Sequence, residues 1–212
     1  LAYNVRMCGR FAIIETDKVP SRFDADIDKQ LHLEPMYNIA PSFYVPVITR
    51  NSPNKVELMQ WGLVPFWAKD PRIGYKMFNA RAETLSEKPS FRVPFLRRRC
   101  LIPADGFYEW KLVDGRKSPF LFTMKHKKAF TFAGLWESWV DPAGSELRSC
   151  TLITTEPNEL MGQYHDRMPV ILDETARWEW LSENNAEELK ALLVPYDANA
   201  MDTPVRIENI TA

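Results

Sequence analysis

The chain has 212 residues, 45% hydrophobic and 26% charged, with a formal net charge of −1. Such a balance supports a full hydrophobic core and excludes a disordered chain. It also excludes a polycation that holds nucleic acid by overall attraction, so any such binding must come from a local patch.

Phe11 to Ile14 is predicted as a short strand, and the polar stretch Asp17 to Leu33 as a mostly exposed helix. Tyr37 to Ser42 reads as a turn-rich loop, because the residue before Pro41 is pushed out of the α region. Tyr44–Thr49 and Val56–Leu63 are expected as strands around the turn signal Asn51-Ser52-Pro53-Asn54. Trp61, Phe66 and Trp67 then crowd around Pro65. Trp61 reads as core, while Trp67 fits either core or an exposed stacking face beside Lys69.

From Arg97 onward the pattern turns to β. Cys100–Pro103 and Phe107–Lys111 are expected strands, and Asp114-Gly115 is a hairpin signal. Strands follow at Pro119–Met124, Ala129–Trp139, Ser149–Thr155 and Met168–Leu172, with a turn at Lys125–Lys128 and a short helix at Glu156–Tyr164. Asp173 is a good N-cap for a helix over Glu174–Leu181, and Ala186–Leu193 forms a last helix before Pro195. The run Arg97-Arg98-Arg99 reads as a solvated face. The sum is an α+β fold: one β-rich domain, mainly antiparallel, with a barrel-like core and peripheral helices.

Cys8, Cys100 and Cys150 show no C-x-x-C spacing, and His32, His126 and His165 are scattered. A disulfide framework, a metal site and a cofactor are therefore not expected. No apolar run reaches the ~18–20 residues of a membrane helix, and Leu1–Arg6 lacks the apolar centre of a secretory signal. The expectation is a cytoplasmic monomer with no membrane partner. Residues 1–7 read as a leader, an expression remnant or an unprocessed N-terminus ahead of a domain spanning 8–212.

Four spots combine reactive chemistry with turn punctuation. In Met7-Cys8-Gly9-Arg10-Phe11, loss of everything up to Met7 would leave Cys8 with a thiol and a free α-amine. That 1,2-aminothiol can attack a carbonyl with nitrogen and close a ring with sulfur. In Phe78-Asn79-Ala80-Arg81, a carboxamide and a guanidinium share one face of an extended chain. Glu109, between Tyr108 and Trp110, is either an outward strand carboxylate or one desolvated enough for acid–base work. His165, in Tyr164-His165-Asp166-Arg167-Met168-Pro169, is a loop imidazole whose ordinary pKa lies near neutrality. Arg10, Arg81 and Arg167 each lie within two residues of one of these groups, and guanidinium forks suit phosphate oxygens.

In order, the blocks Met7–Phe11, Tyr37–Pro41, Trp61–Pro65, Asn79–Thr84, Ile102–Trp110, Phe132–Trp136 and His165–Pro169 resemble the SRAP (SOS-response-associated peptidase) family of abasic-site-processing proteins. The likeness runs from Met7 to about Leu193. It implies a sensor of abasic sites in single-stranded DNA whose exposed N-terminal cysteine closes a thiazolidine on the sugar aldehyde, after autoproteolytic exposure of that cysteine. By position, Cys8 would be the nucleophile, Asn79 would orient the Cys8 amine or the sugar, and Glu109 and His165 would shuttle protons. Arg10, Arg81 and Arg167 would grip phosphates, with Pro41 and Trp67 bordering the strand.

Two other readings share these residues: a cysteine peptidase using Cys8, His165 and Glu109, and a non-covalent single-strand binder that keeps the arginines and Trp67.

Overall fold

The computed structural model describes residues 8–28, 31–208 and 210; the expected leader at 1–7 lies outside the described residues. Fourteen strands follow in chain order among them: β1 (Arg10–Ile13), β2 (Asp26–Ile27), β3 (Met36–Ile39), β4 (Tyr44–Thr49), β5 (Ser52–Trp61), β6 (Asn79–Arg81) and β7 (Arg99–Ala104). After these come β8 (Gly106–Val113), β9 (Arg116–Phe122), β10 (Phe130–Val140), β11 (Glu146–Thr155), β12 (Met168–Pro169), β13 (Ile171–Leu172) and β14 (Val205–Arg206). The α-helices are α1 (Val19–Phe23), α2 (Arg92–Arg97), α3 (Glu174–Ser182) and α4 (Ala186–Ala191).

The expected barrel is present. Strands β5, β4, β7, β10 and β11 pair in that order, antiparallel throughout. A parallel pairing of β11 with β5, Cys150 opposite Trp61, returns the ladder to its start and closes the ring. A second, five-stranded sheet (β14-β9-β8-β1-β3) packs against it. Phe11 of β1 meets it edge-on at Trp61 (5.0 Å) and Phe132 (5.6 Å), and Phe107 of β8 meets Phe132 at 6.1 Å. Trp61, 1% exposed, is core. The Asp114-Gly115 hairpin joins β8 to β9 with both residues at positive φ, +49° and +74°, the type I′ condition that this dipeptide satisfies cheaply. Asp173 caps α3 as its sequence implies, accepting from Thr175 N and Ala176 N.

Four expectations need correction. Tyr37–Ser42 is a loop only from Ala40: Tyr37–Ile39 belongs to β3, held extended by antiparallel pairing with β1, Phe11 opposite Ile39. The Asp17–Leu33 helix reduces to a 3-10 turn at Thr16–Lys18 and the five residues of α1. Asp24 stops it in the left-handed region at φ +47°, after which the chain enters β2. Glu156–Tyr164 holds only a 3-10 turn at Met161–Gln163. The arginine run is not a uniformly solvated face. Arg99 is 0% exposed, donating Nε to Trp180 O at 2.6 Å, Nη1 to Phe95 O and Leu96 O at 2.9 Å each, and Nη2 to Glu183 O. Burial, with the charge of Arg50, lowers its pKa to about 10.

This guanidinium ties the ends of α2 and α3 to β7. Arg99→Met would strand those carbonyls without donors, and each buried orphan costs ~1–3 kcal/mol. We expect a loss of about 3–5 kcal/mol, read as a lower urea midpoint with unchanged slope. A loss below about 1 kcal/mol would show that water replaces the guanidinium.

Among the described residues no helix is long and apolar enough to cross a membrane.

Candidate active site

The site forms where the two sheets meet at the C-terminal end of β11. Strand β6 runs parallel to β11 on one side, Asn79 opposite Leu152 and Arg81 opposite Thr154. Strand β12 pairs the same segment, Pro169 opposite Thr154, so the His165–Arg167 loop feeds in beside it. From the other sheet, β1 and β8 align with Arg10 opposite Tyr108, which brings the chain just before Arg10 alongside Glu109.

Cys8 lies at this junction. Its backbone N–H donates to Glu109 Oε1 at 2.5 Å, and its carbonyl accepts from Asn79 Nδ2 at 3.4 Å. Cys8 is 2% exposed and its φ is +30°, a region that non-glycine residues rarely enter. Burial pushes the thiol pKa well up, and the carboxylate of Glu109 beside it adds to the rise; Arg167 opposes only in part. The thiol therefore stays protonated near neutral pH.

Glu109 is 1% exposed, which settles its orientation: it faces inward. Burial raises its pKa above the ordinary carboxylate range, against partial lowering by Cys8 and by the charge of His165. His165 is thus coupled to Glu109 through space. The backbone N–H of Arg167 points at its Nδ1 at 3.0 Å, and the exposed carboxylate of Asp166 lies 2.9 Å from the same nitrogen.

The arginines differ. Arg10 donates Nη1 to Asn38 Oδ1 at 2.8 Å. Arg81 is exposed on β6. Arg167 forks onto Glu83 at 2.6 and 2.9 Å and donates to Thr154 O at 2.7 Å. That fork also holds the Glu83 carboxyl below its usual pKa. Asn38 and Glu83 were not singled out from sequence, although both sit inside the quoted blocks, one residue from Tyr37 and two from Arg81. What gives them a role is a partner 28 or 84 residues away, which no local pattern reports.

Pro41 and Ser42 form the centre of a turn closed by Phe43 N to Ala40 O at 3.2 Å, with Ser42 at φ +77°. Pro at the first central position and positive φ at the second define type II. Ser42 N and Trp61 N bond across to Trp61 O and Phe43 O, holding this turn against the start of the Pro65 loop. The result is a rim of exposed rings. Phe43 is 49% exposed, Tyr44 53%, Phe66 60% and Trp67 48%. Trp67 is therefore a surface ring.

The group combines a nitrogen held by a buried carboxyl, a protonated thiol on the same residue, an imidazole, guanidinium groups and an aromatic rim. It can move protons at the Cys8 nitrogen. Among the described residues, no cluster of His, Cys, Asp or Glu could hold a metal ion.

The profile of the family described as SOS response associated peptidase (SRAP) matches residues 7–208. The chain is 50% identical over 202 residues to the abasic site processing protein YoqW of Bacillus subtilis, spanning 92% of this chain and 90% of that one. It is 32% identical over 226 residues to the abasic site processing protein HMCES of Xenopus tropicalis, spanning 92% of this chain and 64% of that one. A solved X-ray structure of a Bacteroides thetaiotaomicron protein superposes with a TM-score of 0.89 at 32% identity, covering 95% of this chain and 93% of that one.

Proposed function

The chain belongs to the SOS response associated peptidase family, and from that premise we propose that it captures abasic sites in single-stranded DNA as a thiazolidine on Cys8. The observation that carries this reading is the bond from the Cys8 nitrogen to the buried carboxyl of Glu109.

The chemistry follows from that bond. While Met7 is attached, the Cys8 nitrogen is an amide and cannot attack a carbonyl. Hydrolysis of the Met7–Cys8 bond makes that nitrogen the leaving group, and Glu109 in its protonated form, which burial favours, can supply the proton, to be restored from the attacking water. Cleavage also frees the constraint at φ +30°, a strain worth ~1–3 kcal/mol.

After cleavage the freed amine is in part protonated by solvent, and Glu109 in its carboxylate form takes that proton to leave the neutral amine. The amine adds to the C1 aldehyde of the ring-opened sugar, and water leaves to give a Schiff base. The thiol then adds across the C=N bond, its sulfur to carbon and its proton to nitrogen, closing the thiazolidine. Because the thiol is held protonated, nitrogen attacks first. His165, coupled to Glu109, is suited to relay the proton needed for sugar ring opening, and Asn79 to hold the Cys8 main chain. Arg10 and Arg81 offer phosphate contacts. Arg167 reaches a phosphate only by exchanging Glu83.

A trans-acting cysteine peptidase is disfavoured, because its nucleophile is a thiolate with a lowered pKa and this thiol is shifted the other way. A denaturing gel of the protein trimmed to Cys8 tests the proposal. A shifted band is expected with abasic single strands and none with intact strands. Equal adduct on both would refute aldehyde capture.

Binding of the strand before reaction should weaken steeply with salt, since each neutralised phosphate releases counterion. Arg81→Ser should reduce the log–log salt slope by ~0.7, measured by fluorescence anisotropy. An unchanged slope would remove Arg81 from the phosphate path.

A further inference from the structure

A cavity of about 750 Å³ lies in the groove between Trp67–Asp70 and the 3-10 helix Pro71–Lys76. Its wall is apolar and aromatic, with Trp67, Ile73 and Tyr75, the last 60% exposed. Its edge is basic. Arg72 is tied to Asp70, but Lys69 and Lys76 enter no ion pair among the described residues.

The groove is built rather than incidental, because three interactions fix its walls. Trp139 Nε1 donates to Ala68 O at 2.7 Å. Asp70 Oδ1 accepts from Arg72 N at 2.9 Å at the start of the 3-10 helix. Gly62, at φ +133°, and Gly74 approach so closely that a Cβ on either would fall 2.7 or 2.6 Å from the other's carbonyl oxygen. Only glycine at both places lets the 3-10 helix lie on the exit of β5. At one end Trp67 is an exposed ring, and at the other the chain runs from Lys76 into β6, where Asn79 follows three residues on.

We infer that this groove is a second strand subsite, taking the nucleotide adjoining the abasic site on one side, its base against Tyr75 and Trp67 and its phosphate between Lys69 and Lys76. Fixed aromatic faces beside unpaired cations are what a single strand requires, because every base has a stacking face and every linkage a charge. An acidic peptide would satisfy the lysines but leave the two rings without flat partners. Because this subsite rests on the abasic-strand reading above, its test separates the two.

The probe is a single strand carrying a tetrahydrofuran abasic analogue, which has no aldehyde, lengthened one nucleotide at a time on either side. Wild-type affinity, by fluorescence anisotropy, should step up about tenfold on lengthening at one side. Tyr75→Ala should remove that step with the salt slope unchanged. Lys69→Ser/Lys76→Ser should remove it and lower the slope by ~0.7, one phosphate's worth. All variants should crosslink a short strand with a natural abasic site at the wild-type rate. A step that survives in both variants overturns the subsite while leaving the site at Cys8 standing. Absence of both the step and the crosslink in wild type overturns both readings.

Discussion

Protein trimmed to begin at Cys8 should convert fully to a covalent adduct with abasic single strands, while Cys8→Ala in the same trimmed chain should give none. The expected difference is all or none, because the amine and the thiol of one residue form both bonds of the ring. Cys8→Ser gives the intermediate result. Its amine can still form a Schiff base, so adduct survives only when trapped by borohydride and is lost on heating without it. The chain carrying residues 1–7 supplies the sharpest control. Its Cys8 nitrogen is an amide, so any adduct from that preparation should carry the mass of a chain beginning at Cys8. Intact mass spectrometry reads this directly. An adduct that retains residues 1–7 would mean that another nucleophile reacts, and the amine of Cys8 would lose its role. The non-covalent reading predicts no adduct in any of these, so the same gel decides it.

How much of this was legible in the sequence depends on the range of the interaction. Most strands written by short-range alternation and the Asp114-Gly115 turn are where they were expected, because period and turn chemistry are local; β3 and the start of β5 are not, since they are held by pairing with β1 and β4 through segments that read as turns. The barrel-like core was expected, but not its closing seam. That seam joins Trp61 to Cys150, parallel and 89 positions apart, and neither strand carries a mark naming the other. Arg99 looked solvated because it stands in a run of arginines; the carbonyls that hold it belong to α2 and to the end of α3. Glu109 presented two orientations, since alternation cannot say which face of β8 is inward until β1 is laid beside it. At the site, residue types and order picked out Cys8, Asn79, Glu109 and His165. The bond from Cys8 to Glu109, 101 positions apart, and the fork from Arg167 to Glu83 needed the fold.

The second large effect falls on Glu109. Glu109→Gln keeps size and one accepting oxygen beside the Cys8 nitrogen but cannot exchange a proton. Removing a positioned general acid–base group costs ~10²–10⁴ in rate, so crosslinking by the trimmed variant should slow by about that factor. The pH profile separates proton transfer from positioning. In wild type the carboxyl pKa is raised by burial, so the rate should fall on acidification through a value above the ordinary carboxylate range, where the base is lost. The Gln variant should lack that limb. Stability should move the opposite way. A carboxyl with a raised folded pKa contributes stability in full below its unfolded value, near 4.5, and loses it as pH rises through the folded value. Wild type therefore loses this contribution on going to neutral pH, whereas the Gln variant loses nothing, so its melting temperature at pH 7 should equal or exceed that of wild type. A slow variant that is also less stable would point to a packing defect. A slow variant that is at least as stable, with a flat acid limb, is the result expected of a buried carboxyl retained for its proton.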